Sequence, residues 1–403
     1  MTHEIVILGG ARTAMAEYVG TPGFGKFKDV SAMELGARAI EGALAKTGVS
    51  RDEIDHVVMG NASQSSRYSI YGARHSALYA GLANSVPALT VNRICGSGLQ
   101  SVVSAAQMLL LGDATCVVAG GFESMSQSPH VIRGLREAVR FGADTKLEDL
   151  LFDSLLDPYC NFFMAQTAEN LAKEYGITRE AQDEFAYRSH VEGAKAVKAG
   201  KFAAEIQPVK VKRGKDEVCI DADDHIKPET TIEGLAKLRP AFGKDGTVTA
   251  GNASGIVDGG AAVVVTTAER ARAAGRKPLA IVRAYAISGV EPRIMGIGPV
   301  PAIRAACEKA KIRVHDVDLV EINEAFAAQY LACEKALELD RSRCNVNGGA
   351  VALGHPLGAT GTRLLLTLVR ELNERGRRWG VASACIGGGQ GIAVLVENPN
   401  AKA

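Results

Sequence analysis

The feature that most restricts how this chain can fold is an internal repeat. Residues 46–57 (KTGVSRDEIDHV) align without a gap on residues 309–320 (KAKIRVHDVDLV), 263 positions later. The same offset pairs Gly98 with Gly361 and residues 118–119 with residues 381–382. A register kept over about 70 residues predicts two similar halves, the second following the first after an insertion.

Short apolar runs bounded by glycine occur in both halves, with stretches of 3.6-residue periodicity between several of them. The runs lie at residues 57–59, 117–119, 263–265, 319–320 and 392–396. Buried strands with crossover helices give this pattern, so we predict an α/β fold with largely parallel strands. A chain of 403 residues is too long for one ordinary core, so we expect two or three domains.

The segment between the two halves has a different composition. It is rich in Asp, Glu and Lys and contains a helical stretch at residues 181–199. We therefore predict a first half at residues 1–124 that is completed by 250–278, an inserted loop domain at 125–249, and a second half at 279–403.

Charge and cysteine usage exclude several classes of protein. The 46 Lys and Arg residues almost cancel the 45 Asp and Glu residues, which leaves no overall electrostatic footprint for nucleic acid or an anionic membrane. No apolar run approaches the roughly 18 to 20 residues of a membrane-spanning helix, and the first residues read as a strand without a basic leader. The eight cysteines are scattered singly, so disulfides and a structural metal site are not expected. We expect a cytoplasmic protein.

Cys95 is the cysteine whose position suggests chemistry. It lies in residues 92–99 (NRICGSGL), directly before an amphipathic stretch at residues 100–111, and therefore at the start of a predicted helix. The unpaired N–H groups and positive end of a helix favour the nucleophilic thiolate, and Gly96 and Gly98 allow a substrate close to the backbone. The alternative is an inert buried thiol, the usual state of a free cysteine.

The same glycines allow a second interpretation, a dinucleotide-binding loop. Residues 96–101 (GSGLQS) come close to Gly-x-Gly-x-x-Gly, but Ser101 stands where the third glycine is needed. In the dinucleotide motif that third glycine allows close packing of the helix on the strand. The dinucleotide hypothesis is therefore weak.

His355 is a candidate base for Cys95. The repeat places Gly358 opposite Cys95, and residues 354–361 (GHPLGATG) put His355 just before this second helix start. Two helix starts at equivalent positions would face one another, which suits a nucleophile and its base. A purely structural histidine is the alternative.

Two further polar positions follow strands of the second half. Cys385 lies in residues 382–391 (ASACIGGGQG), before glycines whose N–H groups could converge on an oxyanion, although the same loop could equally be a tight hairpin turn. Asn323 follows the strand at residues 319–322, at the carboxyl end where ligands bind in open α/β sheets.

Four motifs in a fixed order carry a family resemblance. Residues 92–98 (NRICGSG), 323–327 (NEAFA), 354–361 (GHPLGATG) and 385–391 (CIGGGQG) together resemble the thiolase family, specifically 3-ketoacyl-CoA thiolases, the acetyl-CoA acyltransferases. The resemblance covers nearly the whole chain. It implies duplicated halves layered α/β/α/β/α, with an inserted loop domain for lid, CoA-binding and tetramer contacts.

The resemblance also implies a role for each candidate residue. Cys95 would be the acylated nucleophile, His355 would take its proton, and Cys385 would move the proton at the α-carbon. One oxyanion hole would combine His355 with a water held by Asn323, and the other would use the backbone N–H groups of Cys95 and Gly387. No metal or redox cofactor is implied, and CoA is a co-substrate.

The contacts to CoA implied by the resemblance would line the path of its pantetheine arm. They are Met164, Phe242, Ala250, Ser254, Met295, Ala325 and Phe326. Two positions depart from the family pattern. Acetoacetyl-CoA thiolases carry a histidine where this chain has Phe163, which favours longer or more varied 3-ketoacyl chains, and Gly234 replaces a serine that contacts CoA, which puts one hydrogen bond in doubt.

The activity implied is thiolytic cleavage of 3-ketoacyl-CoA to acetyl-CoA and a shortened acyl-CoA, or the reverse condensation, through an acyl-cysteine. A homotetramer, a dimer of dimers with contacts near residues 125–146, and a place in fatty acid metabolism such as β-oxidation are implied as well. The alternatives are an acetoacetyl-CoA-specific biosynthetic thiolase, a ketosynthase, and a non-catalytic subunit of a larger complex. Cys385 argues against a ketosynthase, which normally lacks a second catalytic thiol.

Overall fold

The structure is a computed structural model that describes residues 4–243 and 245–401. The outermost ends of the predicted halves, residues 1–3 and 402–403, lie outside the described residues. In chain order the strands are β1 (Ile5–Arg12), β2 (Ala16–Glu17), β3 (His56–Gly60), β4 (Ala88–Val91), β5 (Cys116–Glu123), β6 (His130–Ile132), β7 (Leu147–Asp149), β8 (Leu156–Asp157), β9 (Phe162–Phe163), β10 (Val209–Arg213), β11 (Asp216–Ile220), β12 (Val257–Thr267), β13 (Ala280–Gly289), β14 (Leu319–Ile322), β15 (Trp379–Ile386) and β16 (Gln390–Glu397). The helices are α1 (Ala32–Thr47), α2 (Gly72–Tyr79), α3 (Ser97–Leu111), α4 (Leu150–Asp153), α5 (Met164–Tyr175), α6 (Arg179–Lys198), α7 (Ile232–Ala236), α8 (Ala268–Ala273), α9 (Pro299–Lys309), α10 (Ala327–Leu337), α11 (Ala350–Leu353) and α12 (Leu357–Glu374).

The main sheet runs through both halves of the molecule. Its strand order is β14-β15-β16-β13-β1-β12-β5-β3-β4, and β2 adds to β12. A short antiparallel ladder between β1 and β13, with Val6 opposite Ile281 and Ile7 opposite Ala280, joins the halves. After the insertion the chain returns to the first half as β12, between β1 and β5. The predicted domain boundaries stay a prediction.

The prediction of largely parallel strands is wrong. Only β3 with β4, β3 with β5, and β14 with β15 pair in parallel among the described strands, and the other ladders are antiparallel. Strands covered by helices on both faces have continuous apolar runs whatever their direction. The apolar runs therefore indicated burial correctly, and they carried no information on strand direction.

The duplication is visible in the equivalent elements. β5 and β15 are 263 positions apart at both ends. Helices α3 and α12 pack against each other at equivalent glycines: a Cβ on Gly98 would lie 2.5 Å from the backbone nitrogen of Thr362, and one on Gly361 would lie 2.4 Å from that of Leu99. Only glycine allows this approach, which explains why both positions of the repeat carry it.

Three apolar clusters fill the spaces between the layers. The first lies between α3 and α12 and the inner faces of both halves of the sheet. The second lies under α1 and α2, and the third under α9 and α10. Alternate residues of a strand belong to different clusters; Val117, for example, faces the first cluster and Val118 the second. The expected α/β/α/β/α layering is therefore confirmed.

The central helix corrects one expectation from the sequence. Residues 94–111 are long and apolar enough, by composition, to span a bilayer. The glycines, serines and glutamines of this stretch hide that property from a search for continuous apolar runs. Because α3 packs against α12 and the strands of the first cluster, its apolar character is explained by the core.

Candidate active site

A cavity of about 500 Å³ lies where the insertion meets both halves. Cys95 of the first half and His355 of the second half both line it. All seven predicted CoA contacts also line it: Met164, Phe242, Ala250, Ser254, Met295, Ala325 and Phe326. Residues far apart in the sequence are thus brought to one cavity, and their individual roles stay predictions.

Cys95 lies in a tight turn at the start of α3. The preceding residue, Ile94, has a positive φ of 45°, which is rare for a branched side chain, and its backbone N–H donates to Asn92 Oδ1 at 2.9 Å. This turn presents the thiol at the cavity wall rather than along the helix. Burial raises the pKa of Cys95 to about 12, against backbone hydrogen bonding from Gly387 and from Cys95 itself. The resting group is therefore a thiol: at this site burial outweighs the helix terminus that predicted a thiolate.

His355 lies in the short link between α11 and α12. Its Nδ1 is 2.6 Å from Thr360 Oγ1, and that hydroxyl donates to the carbonyl of Pro356 at 3.0 Å. Because the hydroxyl proton is used in this way, Thr360 Oγ1 has to accept from Nδ1–H. The hydrogen-bond network thus assigns the neutral tautomer whose Nε2 carries a lone pair, the form that a general base requires.

The other ring nitrogen of His355 faces Asn323. The distance from His355 Nε2 to Asn323 Nδ2 is 3.2 Å. Asn323 is fully buried, and its Oδ1 has no hydrogen-bond partner among the described residues. Burial, with Arg363 nearby, lowers the pKa of His355 to about 3. The imidazole is therefore unprotonated at neutral pH.

Cys385 lies directly behind the cavity wall. It is completely buried and packs in one apolar cluster with Met295 and Ala325, both of which line the cavity. Burial and the nearby sulfurs of Cys95 and Cys333 raise its pKa well above the ordinary value, so it too rests as a thiol. Cys385 is not among the residues that line the cavity, so its role at the α-carbon stays a prediction.

The glycine loop after Cys385 combines both structures that the sequence allowed. It is a tight hairpin turn between β15 and β16, with Gly388 and Gly389 at φ of 81° and 83°. Its first residue, Gly387, contributes backbone hydrogen bonding to the Cys95 sulfur. One turn therefore closes the hairpin and presents an N–H group to the candidate nucleophile.

Phe163 and Gly234 differ from the family pattern in different ways. Phe163 lines the cavity, and its ring centroid is 4.7 Å from that of Phe152 and 5.3 Å from that of Phe242. It gives the cavity an apolar aromatic wall next to Met164. Gly234 is not part of the lining; its N–H donates to Thr231 Oγ1 at the start of α7.

Sequence reasoning missed a polar pair in the same cavity. His225 Nδ1 is 2.8 Å from Glu17 Oε2, and both residues line the cavity together with Lys227. These partners are separated by 208 positions and no local motif connects them, so only the folded structure identifies the pair. Thr360 was inside a recognised motif, but its contact with His355 depends on the turn between α11 and α12.

Among the described residues, no group of three His, Cys, Asp or Glu side chains is arranged to hold a metal ion.

Comparison with known proteins gives one consistent family. The chain matches the family descriptions "Thiolase, N-terminal domain" over residues 5–269 and "Thiolase, C-terminal domain" over residues 276–398. It is 48% identical to human mitochondrial 3-ketoacyl-CoA thiolase over 398 residues, which cover 99% of each chain. It is 49% identical to the acetyl-CoA acetyltransferase of Chromobacterium violaceum over 397 residues, 98% of this chain and 100% of that one. The crystal structure of human mitochondrial 3-ketoacyl-CoA thiolase in complex with CoA has a TM-score of 0.94 to this structure at 47% identity, covering 98% of each chain.

Proposed function

The chain belongs to the thiolase family, and from this premise we propose that it is an acyltransferase that cleaves 3-ketoacyl-CoA with CoA. The products are acetyl-CoA and an acyl-CoA shortened by two carbons, and the same site runs the reverse condensation. One observation carries the proposal. Cys95 and His355, from the two halves of a duplicated fold, line one cavity whose wall is backed by Cys385.

In the first half-reaction, His355 Nε2 takes the proton of Cys95 while the sulfur attacks the 3-keto carbon of the substrate. The bond between C2 and C3 then breaks, and its electron pair stays on C2 as the enolate of acetyl-CoA. Cys385 protonates C2, which releases acetyl-CoA and leaves an acyl-Cys95 and a Cys385 thiolate. The protonated Cys385 and the unprotonated His355 that the site provides at rest are the forms that this step requires.

In the second half-reaction, CoA gives its thiol proton to Cys385 and attacks the acyl group on Cys95. The Cys95 sulfur leaves and recovers its proton from His355. Both cysteines and the imidazole return to their starting forms, so no external acid, base or redox partner is needed. A metal or redox cofactor has no step to perform in this scheme, since the thioester already activates the carbonyl and its α-carbon.

Two sets of hydrogen-bond donors would stabilise the oxyanions. The backbone N–H groups of Cys95 and Gly387 suit the oxygen of the acyl group, because both lie at the Cys95 sulfur. His355, with Asn323 beside it, suits the thioester oxygen of the acetyl unit, and the unpartnered Oδ1 of Asn323 can hold a water there. Losing one such donor typically raises the barrier by about 2.7 to 4 kcal/mol.

The replacement of Cys385 with serine tests the division of work between the two thiols. A Cys385→Ser variant should still acquire an acyl group on Cys95 but lose turnover by at least about 100-fold, because proton transfer to carbon is lost. Intact-mass and peptide mass spectrometry detect the acyl group, and initial rates of acetoacetyl-CoA thiolysis measure turnover. Cys95→Ser should show neither acyl group nor turnover.

Cys333 provides a matched control for that experiment. It is also a buried thiol near Cys385, but its Sγ donates to the carbonyl of Gly296 at 3.2 Å, so its proton is held by the backbone. Cys333→Ser should therefore keep normal turnover. Normal turnover in Cys385→Ser, or an acyl group found on another residue, would contradict the two-thiol mechanism.

The aromatic wall at Phe163 supports activity on 3-ketoacyl chains longer than acetoacetyl. A series of kcat/KM values from acetoacetyl-CoA to long-chain 3-ketoacyl-CoAs measures this preference. Phe163→His, which restores the residue of acetoacetyl-CoA thiolases, should shift the preference toward the shortest substrate. An acetoacetyl-CoA-specific enzyme is the second candidate, favoured by the 49% identity to an acetyl-CoA acetyltransferase, and a wild-type profile confined to acetoacetyl-CoA would establish it.

Exposed apolar side chains support assembly into a homotetramer. The edge strand β4 exposes the side chain of Leu89, and the segment before it exposes several aromatic side chains. This edge of the sheet therefore suits pairing with the same edge of a second copy. The loop between β6 and β7 exposes Leu135 and Phe141, which suits contact between two such dimers. Phe141→Asp should convert tetramers to dimers in light scattering after gel filtration, whereas Leu111→Asp, at another exposed position at the end of α3, should not. Monomeric wild-type protein would contradict this assembly.

We propose that the protein is located in a reducing compartment, and the cytoplasm is the first candidate. All eight cysteines are unpaired, which fits compartments where thiols stay reduced. The relatives include mitochondrial proteins as well as bacterial ones, so fractionation of the source cell is the test. A role in β-oxidation rather than biosynthesis follows if thiolysis of longer chains exceeds condensation of acetyl-CoA at cellular concentrations.

A further inference from the structure

A buried carboxylate, Glu123, is held at the junction of the two halves. It is the last residue of β5 and is completely shielded from solvent. Its Oε1 accepts hydrogen bonds from Asn61 Nδ2 at 2.7 Å and from the backbone and hydroxyl of Ser63 at 3.1 and 2.6 Å. Its Oε2 accepts from the backbone N–H of Ala62 at 3.0 Å and of Gly358 at 2.9 Å. Five donors converge on one side chain that the proposed mechanism does not use.

The internal repeat explains where this carboxylate lies. Gly358 is the equivalent of Cys95, and Ile386 is the equivalent of Glu123, in each case 263 positions apart. In the catalytic arrangement the end of β15 faces the start of α3: Ile386 packs on Gly96, and the next residue directs its N–H to the Cys95 sulfur. In the equivalent arrangement the end of β5 faces the start of α12, and the Glu123 carboxylate occupies the place where a substrate oxyanion would lie.

The start of α12 has no room for a nucleophile of its own. A Cβ on Gly358 would lie 2.5 Å from the carbonyl oxygen of Phe122 and 2.7 Å from that of Gly60. The helix terminus is therefore closed by backbone on one side and by the Glu123 carboxyl group on the other. Burial raises the pKa of Glu123 to about 7, against the hydrogen bonds that it accepts, while a helix N-terminus favours its charged form.

Glu123 is connected to both members of the nucleophile and base pair. On one side, the backbone N–H of Gly358 in α12 donates to Glu123, and Gly358 is two residues before Thr360, whose hydroxyl oxygen accepts from His355 Nδ1. On the other side, the carbonyl of Ala62 accepts from Asn92 Nδ2 at 3.1 Å, and Asn92 Oδ1 holds the backbone N–H of Ile94 in the Cys95 turn. One carboxylate thus joins, by hydrogen bonds, the turn that carries the thiol and the helix that carries the partner of the base.

We propose that Glu123 is a positioning residue whose carboxyl group bridges the N–H groups of Ala62 and Gly358 at the second helix terminus and thereby sets the distance between Cys95 and the His355 imidazole. This inference concerns the same reaction and rests on the proposed function. A displacement of about 1 Å between reacting groups can lower a rate by about 100-fold.

Three variants separate the position of the carboxylate from its charge. Glu123→Asp keeps the charge but withdraws the carboxylate by about one carbon–carbon bond, roughly 1.5 Å, so it cannot bridge Ala62 and Gly358. Glu123→Gln keeps the length, and its amide oxygen can accept from Ala62 and Gly358. Its NH2 group can donate to Ser63 Oγ, but it also faces the Asn61 NH2 and the Ser63 N–H, which are donors themselves. Ser63→Ala is the matched control, because it removes one hydrogen bond from Oε1 and leaves the contact with Gly358 intact.

Two measurements on the full-length protein test the proposal. The first is kcat and KM for acetoacetyl-CoA thiolysis, and the second is the rate and final stoichiometry of Cys95 alkylation by iodoacetamide without substrate. Glu123→Asp should lower kcat by about 10- to 100-fold with KM within about twofold of wild type. It should also slow alkylation toward the rate of a His355→Ala variant while still reaching one label per chain. Ser63→Ala should stay within about fivefold of wild type in both measurements, and Glu123→Gln, which keeps the contacts with Ala62 and Gly358, should lose less than Glu123→Asp.

The outcomes divide clearly. The proposal is overturned if Glu123→Asp keeps its kcat and alkylation rate, if its deficit is only a smaller fraction of chains that can be labelled, or if Glu123→Gln is as impaired as Glu123→Asp. The last two results would indicate loss of folding and, respectively, a role of the charge or of the contacts with Asn61 and Ser63. Absence of thiolysis in the wild type would reject the proposed function, while the alkylation rates would still decide the role of Glu123.

Discussion

Replacing Thr360 with valine removes the group that assigns the tautomer of His355. Valine has nearly the shape of threonine, so the packing of this fully buried position changes little. The substitution removes the hydroxyl oxygen that lies 2.6 Å from Nδ1 of the imidazole and accepts its hydrogen bond. The ring then either keeps a buried N–H without a partner or moves its proton to Nε2, and the second form cannot take the proton of Cys95.

The magnitude follows from the cost of that unpaired group. A buried donor without a partner costs about 1 to 3 kcal/mol, and the shift of the tautomer equilibrium away from the competent form is of the same size. At 1.36 kcal/mol for each factor of ten, we expect kcat/KM to fall by roughly 5- to 150-fold. The rate of Cys95 alkylation should fall in parallel, since it depends on the same base.

Initial rates of thiolysis over a range of 3-ketoacyl-CoA concentrations measure this effect. Thr360→Ser is the matched control, because serine keeps the hydroxyl that accepts from Nδ1 and donates to the carbonyl of Pro356. It should stay within about threefold of wild type, the effect of a lost methyl group on packing alone. A Thr360→Val variant with wild-type kcat/KM would refute the assignment of Nε2 as the base.

Three further predictions concern protonation and stability. The pKa of His355, lowered to about 3 by burial, keeps this base unprotonated down to acid pH, so kcat/KM should not fall between pH 7 and pH 5; a decline with its midpoint near 6.5 would contradict this. Gly361→Ala places a methyl group 2.4 Å from a backbone nitrogen of the facing helix and should destabilise the fold by about 1 to 3 kcal/mol in urea denaturation. Gly289→Ala, where a Cβ meets nothing within 4 Å, should be nearly neutral, and equal effects of the two would be evidence against close packing. Arg12→Met leaves two buried carboxylates unpaired and should cost about 3 to 5 kcal/mol, whereas Arg38→Met, in an exposed ion pair, should cost less than about 1 kcal/mol; similar losses would refute the distinction.

The sequence was most informative where chemistry is confined to a short segment. The turn at Cys95, the link at His355 and the glycine hairpin after Cys385 each consist of adjacent residues, so a motif reports them directly. The repeat added the relation between the two helix starts, because equivalent positions in a duplicated fold have equivalent places. The four motifs also carried the family resemblance, and the resemblance implied the layered architecture and the CoA contacts that line the cavity.

The properties that the sequence could not give depend on contacts between distant segments. The pairing of Glu17 with His225 joins residues that share no motif, and the five hydrogen bonds to Glu123 come from two separate segments, residues 61–63 and Gly358. Burial is a property of the whole fold as well. A helix start with unpaired N–H groups predicted a thiolate at Cys95, but the cost of removing the charge from water is larger, and the thiol stays protonated until a base accepts its proton.

The duplication also explains why each of the two catalytic thiols is present in only one half of the molecule. Cys385 is the equivalent of Phe122, which is buried in the first half against Gly36, so a thiol at the end of a strand exists in only one copy. Cys95 in turn is the equivalent of Gly358, where a side chain of any kind would collide with two carbonyl groups. Each half therefore retains one of the two thiols, and the first half cannot acquire the second without losing the aromatic residue of its core. A site that requires both thiols forms only where the two halves meet, and the rigid contact of α3 with α12 at Gly98 and Gly361 holds them there. For this reason a change at the helix crossing should alter the distance between Cys95 and His355 as well as the stability of the fold, although neither glycine lines the cavity.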